Sequence, residues 1–303
     1  MGAKELPESI KNDPRYSELL MPVDTNIKLS SVILSEENKE KISEFIKELK
    51  ARELLGKYGF FPMNRILMYG DSGTGKTYLS KALTNYLGYT MLYVDIGAAL
   101  NRGNVAENLT NIFRLGNKLK YCVIFLDECD SIGWNREGTS RESGEVRRAT
   151  NNLFQLIDQM DKTNILIGCT NMIMMLDPAF VRRFDMKMQF FRPKGGIDDV
   201  VRKFMRDGFT YKMNLDDSCI KIVNSELSVS YYEIQIVVER AMKDVLIKSI
   251  DYKDDPVALA RYKDENGKYI IRQSIIFDML GKLADVSFKG RARELIDNAN
   301  KEG

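Results

Sequence analysis

The chain has 303 residues, 44% hydrophobic and 29% charged, enough to bury more than one core and unlike a disordered or fibrous composition. With 45 Lys and Arg against 43 Asp and Glu, the net charge of +2 is too small for binding nucleic acid by bulk electrostatics. Histidine is absent, which removes Ser/His and Cys/His nucleophile pairs and leaves chemistry to carboxylates, lysine, arginine and a metal.

The four cysteines, Cys122, Cys129, Cys169 and Cys219, form no CxxC pair, and without histidine they complete no zinc site. They read as reduced core thiols of a cytoplasmic protein. No apolar run approaches the roughly 18 residues of a membrane span, and no membrane partner is expected. The first residues lack an apolar signal core, and Gly2 lacks the Ser or Thr of a myristoylation signal.

In chain order, residues 1–26 carry Pro7, Pro14 and Pro22 among charges of both signs without periodicity, the pattern of an arm that is a tether or is ordered only by docking. Ser35 is an N-cap candidate, and Ile42, Phe45, Ile46 and Leu49 follow at helical spacing to near Gly56. Apolar runs at 65–69, 90–96, 121–126 and 164–169, with a fifth candidate at 186–191, alternate with helical stretches. Strands so uniformly apolar, separated by helices, predict a parallel α/β sheet covered on both faces, over residues 27–192. Beyond Pro193 the pattern turns to helices alone, at 198–207, 216–226 and 231–249, and residues 193–303 are expected to form a second, helical domain. A hairpin is predicted around Glu265, Asn266 and Gly267, between 261–263 and 268–271.

Gly70, Asp71, Ser72, Gly73, Thr74, Gly75, Lys76 and Thr77 fit GxxxxGK[ST], directly after a predicted strand and opening a predicted helix at 77–87. Glycines allow a compact turn whose N–H groups face phosphate oxygens at the positive end of a helix. Lys76 is expected to neutralise the β- and γ-phosphates of a nucleotide and the Thr77 hydroxyl to join a Mg²⁺ shell. Tyr78, the next residue, is counted in the same nucleotide-binding set.

About fifty residues on, Asp127 and Glu128 end the apolar run beginning at Val123, where strand alternation and backbone exit aim both carboxylates at a nucleotide. Asp127 suits the metal and Glu128 the attacking water. The run 165–169 leads through Thr170 to Asn171, an amide able to hold the lytic water or a γ-phosphate. Arg182 and Arg183 follow. An arginine fork supplied to a phosphate from a neighbouring subunit accelerates phosphoryl transfer by about 10³ to 10⁵.

Taken together, GDSGTGKT, FLDECD, CTN and LDPAFVRRFD resemble the Walker A, Walker B, first sensor and second region of homology of the AAA family within the AAA+ ATPases, over residues 27 to about 250. The resemblance implies a five-stranded parallel P-loop sheet, a helical lid, ATP and Mg²⁺ as cofactors, and arginine fingers at Arg182 and Arg183. It also implies a homo-oligomeric ring, most often a hexamer, that remodels a macromolecular client, in the first instance protein. Glu145 and Arg147, before the stretch Leu153 to Asp158, resemble the family's interface helix.

Two departures stand out. Asn101, Arg102 and Gly103 occupy the position where the family commonly places an aromatic, an apolar residue and glycine at a central pore. Trp134, the single tryptophan, lies near a possible second pore loop, although a lone tryptophan is more often a core residue. The lid lacks the usual second-sensor pair and offers Ser228, Ser230, Tyr231 and Tyr232 instead, with adenine expected against one of the tyrosines. The missing aromatic keeps open an alternative, a nucleotide-switched scaffold or loader that controls a partner enzyme or DNA-associated complex without threading a chain. A small-molecule P-loop kinase would leave Asn171 and the arginine pair without a role.

Overall fold

The structure is a computed structural model, and it describes residues 2–96, 99, 104–133, 144–193, 196–284 and 290–301. Asn101, Arg102, Gly103 and Trp134 lie outside the described residues, as do the side chains of Glu145 and Arg147. The chain divides into two compact units, residues 1–71 with 75–190 and residues 72–74 with 191–303.

The first unit is built on β1 (Arg65–Gly70), β2 (Thr90–Val94), β3 (Cys122–Leu126), β4 (Ile165–Thr170) and β5 (Met186–Phe190). They lie in the order β2-β3-β4-β1-β5, and every neighbouring pair is parallel. The long helices around it are α1 (Glu36–Lys50), α2 (Lys76–Leu87), α3 (Val105–Leu119) and α4 (Gly144–Asp158).

Alternation along each strand explains why the runs are apolar throughout. Ile66, Met68, Val123, Phe125, Ile165 and Ile167 point to one face, where Ile42 and Phe45 of α1 and Leu79 and Leu83 of α2 cover them. Leu67, Ile124, Leu126 and Leu166 point to the other, against Leu109, Ile112 and Phe113 of α3 and Leu153 and Ile157 of α4. A strand buried on both faces needs apolar residues at every position, which is what the all-buried β3 shows.

The two edges of the sheet are finished differently. β5 alternates, with Met186, Met188 and Phe190 buried and Lys187 and Gln189 outward. Along β2 the N-terminal residues cover the open edge: Lys4 N–H donates to Tyr89 O at 3.1 Å, Met21 N–H to Tyr93 O at 2.9 Å, and Asp95 N–H to Leu19 O at 2.9 Å. Leu19 and Leu20 join the core beside Leu92 and Val94. Backbone groups that would otherwise template another chain are thereby paired.

In the second unit, α5 (Ile197–Phe204), α6 (Asp217–Glu226), α7 (Tyr231–Ile250), α8 (Gln273–Leu283) and α9 (Gly290–Lys301) enclose Val223, Ile234, Val238, Ile276 and Phe277. Helix α7 opens on a reciprocal cap: Glu233 N–H donates to Ser230 Oγ at 3.2 Å and Ser230 N–H to Glu233 Oε2 at 2.6 Å.

This unit is not helical alone. β6 (Phe209–Lys212) and β7 (Tyr269–Arg272) form a two-stranded parallel sheet. The predicted hairpin is corrected accordingly. Its turn exists, with Gly267 at φ +75° and Gly267 N–H donating to Asp264 O at 2.9 Å. Only Lys263 and Tyr269 bridge across it, because Ala260–Tyr262 is a 3₁₀ turn and β7 spends its ladder on β6, burying Ile271.

Candidate active site

Topology sets the site's position. β1 lies between β4 and β5, while the chain leaving β1 crosses to β2 at the far edge, so the order reverses beside β1 and opens a crevice at the carboxyl ends of the strands. The residues leaving β1, β3 and β4 meet there.

Gly70 ends β1 against β5. A Cβ built on it would stand 2.0 Å from the Phe190 carbonyl oxygen, so only glycine fits this approach. Gly75 sits at φ +101° as the N-cap of α2, and no side chain caps that end. The first N–H groups of α2 therefore keep the donors and the positive end of the helix dipole that anions favour. Within the intervening turn Gly73 has φ +72° and Thr74 is buried; Ser72–Thr74 group with the second unit. The Tyr78 hydroxyl pairs with Ser31 Oγ at 3.1 Å, which leaves its backbone as the part directed to the turn.

Lys76 is nearly buried, 7% exposed, and its Nζ donates to Gly70 O at 2.6 Å, Asp71 O at 2.8 Å and Asn171 Oδ1 at 2.8 Å. Burial pulls its pKa below the ordinary lysine value, opposed by Cys169, Asp127, Asp71 and Asp130. Asn171 and Lys76, ninety-five positions apart in sequence, are thus in direct contact.

Asp127 is the hub of the second cluster. Its Oδ2 accepts from Thr77 Oγ1 at 3.2 Å and from Tyr93 Oη at 2.7 Å, and its Oδ1 from Glu128 N–H at 3.1 Å. Glu128 is exposed and holds φ +50°, a left-handed backbone that turns its side chain away from the line of β3. Behind it, Cys129 N–H donates to Cys169 O at 2.9 Å and Thr170 Oγ1 to Asp130 Oδ1 at 2.7 Å, which ties the exit of β3 to that of β4.

The arginine pair is split. Arg183 stacks over Phe154, 4.4 Å from the ring centroid, and donates to Ala179 O at 2.8 Å and Asp158 Oδ2 at 3.3 Å. Arg182 is exposed and has no side-chain partner among the described residues. All four cysteines are free and buried. Burial raises the Cys129 and Cys169 thiols well above the ordinary range, so neither is a nucleophile at neutral pH.

Sequence reasoning missed Tyr93. It reads as one more core residue of an apolar strand, and only the pairing of Tyr93 with Phe125 brings it near Asp127. Burial, and then the hydrogen bond to Asp127, push its phenol above the ordinary tyrosine range, so it is a donor at neutral pH.

A strand, a glycine turn and a helix end facing a lysine, two carboxylates and an amide define a P-loop nucleotide site on an α/β sheet. Residues 66–192 match the family described as ATPase family associated with various cellular activities (AAA). The chain is 34% identical over 209 residues to a 26S proteasome regulatory subunit 4 homolog of Encephalitozoon cuniculi, covering 65% of this chain and 47% of that one. It is 33% identical over 221 residues to the proteasome-activating nucleotidase of Methanocaldococcus jannaschii, covering 69% and 49%. An uncharacterised AAA family ATPase of Sinorhizobium fredii is 28% identical over 221 residues, covering 72% and 65%. Residues 66–192 of the chain carry an AAA domain, the nucleotide-binding domain of the AAA ATPases. It spans about half the length of the proteasomal relatives.

Proposed function

We propose that this chain binds ATP with Mg²⁺ and hydrolyses it, and that hydrolysis at subunit interfaces of a ring, a hexamer in the simplest case, drives remodelling of a protein client. The observation that carries the reading is the convergence of Lys76, Thr77, Asp127 and Asn171 at the start of an uncapped helix. N–H groups from Gly75 to Tyr78, at the start of the helix, cradle the phosphates, and Lys76 offsets the charge of the β- and γ-groups.

Thr77 Oγ1 and the Asp127 carboxylate, 3.2 Å apart, are two hard oxygen donors of the kind Mg²⁺ takes. A Mg²⁺ ion held with a nucleotide needs only one or two protein oxygens of this kind, the rest of its shell coming from phosphate and water. When bound, that ion neutralises charge on the phosphate oxygens. Glu128 polarises the attacking water, and Asn171 orients the water or the γ-phosphate.

Arg182 supplies the last charge in trans. Its exposure and lack of a side-chain partner among the described residues support this, and Arg183 serves to brace the segment. The names of the proteasomal relatives support a protein client. No helix among the described residues is long and apolar enough to cross a membrane; a cytoplasmic site of action is part of the proposal. Asn101, where the family commonly has an aromatic, favours a second reading in which ATP controls assembly with a partner and no chain is threaded.

Calorimetric titration with ATP, with and without Mg²⁺, and a phosphate-release assay test the core of the proposal. Micromolar binding strengthened by Mg²⁺, with turnover, is expected; absence of nucleotide binding would overturn it.

A further inference from the structure

We propose that Tyr93 is a positioning residue of the Mg²⁺ site: from the edge strand β2 its hydroxyl fixes the Asp127 carboxylate in the orientation that receives the ion. The inference rests on the nucleotide-site reading above and adds a residue to it.

Four observations converge on this role. Tyr93 pairs in register with Phe125, so the two lie side by side on one face of the sheet. Their rings meet edge-on, centroids 4.8 Å apart and planes at 88°, an arrangement that fixes the phenol's direction. Asp127 stands two residues beyond Phe125, past the end of β3, and alternation returns it to the same face. A tyrosine reaches diagonally from one strand to the next pair along, and its Oη lies 2.7 Å from Asp127 Oδ2.

The geometry also gives the residue something to do. Asp127 has left the β3 ladder, and its neighbour Glu128 is held in a left-handed conformation, so strand pairing no longer fixes its carboxylate. Three donors do that instead: Thr77 Oγ1, Tyr93 Oη and Glu128 N–H. Of these, the Thr77 oxygen is itself assigned to the ion and the amide is part of the turn. Tyr93 alone arrives from a separate element with a rigid ring behind it. Partners of this kind orient metal-binding carboxylates, and their loss typically weakens metal affinity by about 10- to 100-fold.

Tyr93→Phe keeps the ring contact with Phe125 and deletes one oxygen. ADP affinity is measured by calorimetry in EDTA and across a Mg²⁺ titration, for the wild type, Tyr93→Phe, Asp127→Asn and the double variant. We expect Tyr93→Phe to bind ADP like the wild type in EDTA, to require about tenfold more Mg²⁺ for half of the metal-dependent gain, and to melt at the wild-type temperature. In the Asp127→Asn background the same substitution should change the Mg²⁺ requirement by less than twofold. An unchanged Mg²⁺ requirement in Tyr93→Phe, or an equal effect with and without the Asp127 carboxylate, would overturn the role of Tyr93 while leaving nucleotide binding intact. Failure of the wild type to bind ADP would overturn the nucleotide-site reading itself.

Discussion

Two places in the first unit present cations, and they present them in opposite ways. At the carboxyl ends of β1, β3 and β4, Lys76 is buried and engaged with Gly70, Asp71 and Asn171, and both carboxylate oxygens of Asp127 have donors. In the segment following the short helix Pro178–Val181, two adjacent arginines diverge, Arg183 folded onto Phe154 and Asp158 and Arg182 left exposed. The first arrangement is complete within one chain. The second has a spare planar fork, and a group of that kind gains its energy only when a phosphate or carboxylate is brought to it. On the proposed reading this difference is a division of labour, with binding prepared in cis and Arg182 supplying the final charge across an interface.

The largest effects should fall on turnover. Arg182→Ala is expected to lower kcat by about 10³-fold while leaving ATP affinity within a few-fold, in the range of a lost arginine finger. Arg183→Ala, next to it, should lower kcat far less, and comparable losses in the two variants would dissolve the contrast between them. Glu128→Gln removes the polarising carboxylate but not the phosphate contacts, so turnover should fall about 10² to 10³-fold with ATP still bound. Phosphate release measured beside calorimetric binding separates the two effects.

Lys76→Ala should act on affinity instead, by about 100-fold, since hydrogen bonds to a charged group are each worth about 1.5 to 3 kcal/mol. Near-normal binding would mean that the helix end alone carries the phosphates. The smallest effect is on stability: Arg183→Ala should cost about 1 to 2 kcal/mol through the lost ring contact and its hydrogen bonds, read by denaturant unfolding. No change in midpoint would show that the brace is not structural.

The parts visible in the sequence are those where local chemistry decides. β1, β3 and β4 are buried on both faces and announce themselves as apolar runs, and the glycine turn must be glycine because Gly70 meets the Phe190 carbonyl and Gly75 takes a positive φ. The hidden parts depend on partners distant in sequence. β6 and β7 are four residues each, and nothing near Phe209 points to Tyr269. The turn at Gly267 was legible, but its strand pairs elsewhere. Tyr93 is indistinguishable from core until register brings it to Asp127, and no pattern tells Arg182 from Arg183, because only contacts distant in sequence, with Phe154 and Asp158, set the surroundings of Arg183 apart.

The most direct test of hydrolysis completed across an interface is a mixing experiment. Glu128→Gln subunits keep Arg182, and Arg182→Ala subunits keep Glu128, so each is inactive alone while one kind of mixed interface carries both groups. ATPase activity is measured on equimolar mixtures over a range of total concentration, beside each variant alone. The account predicts activity in the mixture that exceeds the sum of the separate variants and rises with concentration. A mixture that stays at that sum, together with wild-type specific activity that does not depend on concentration, would contradict it.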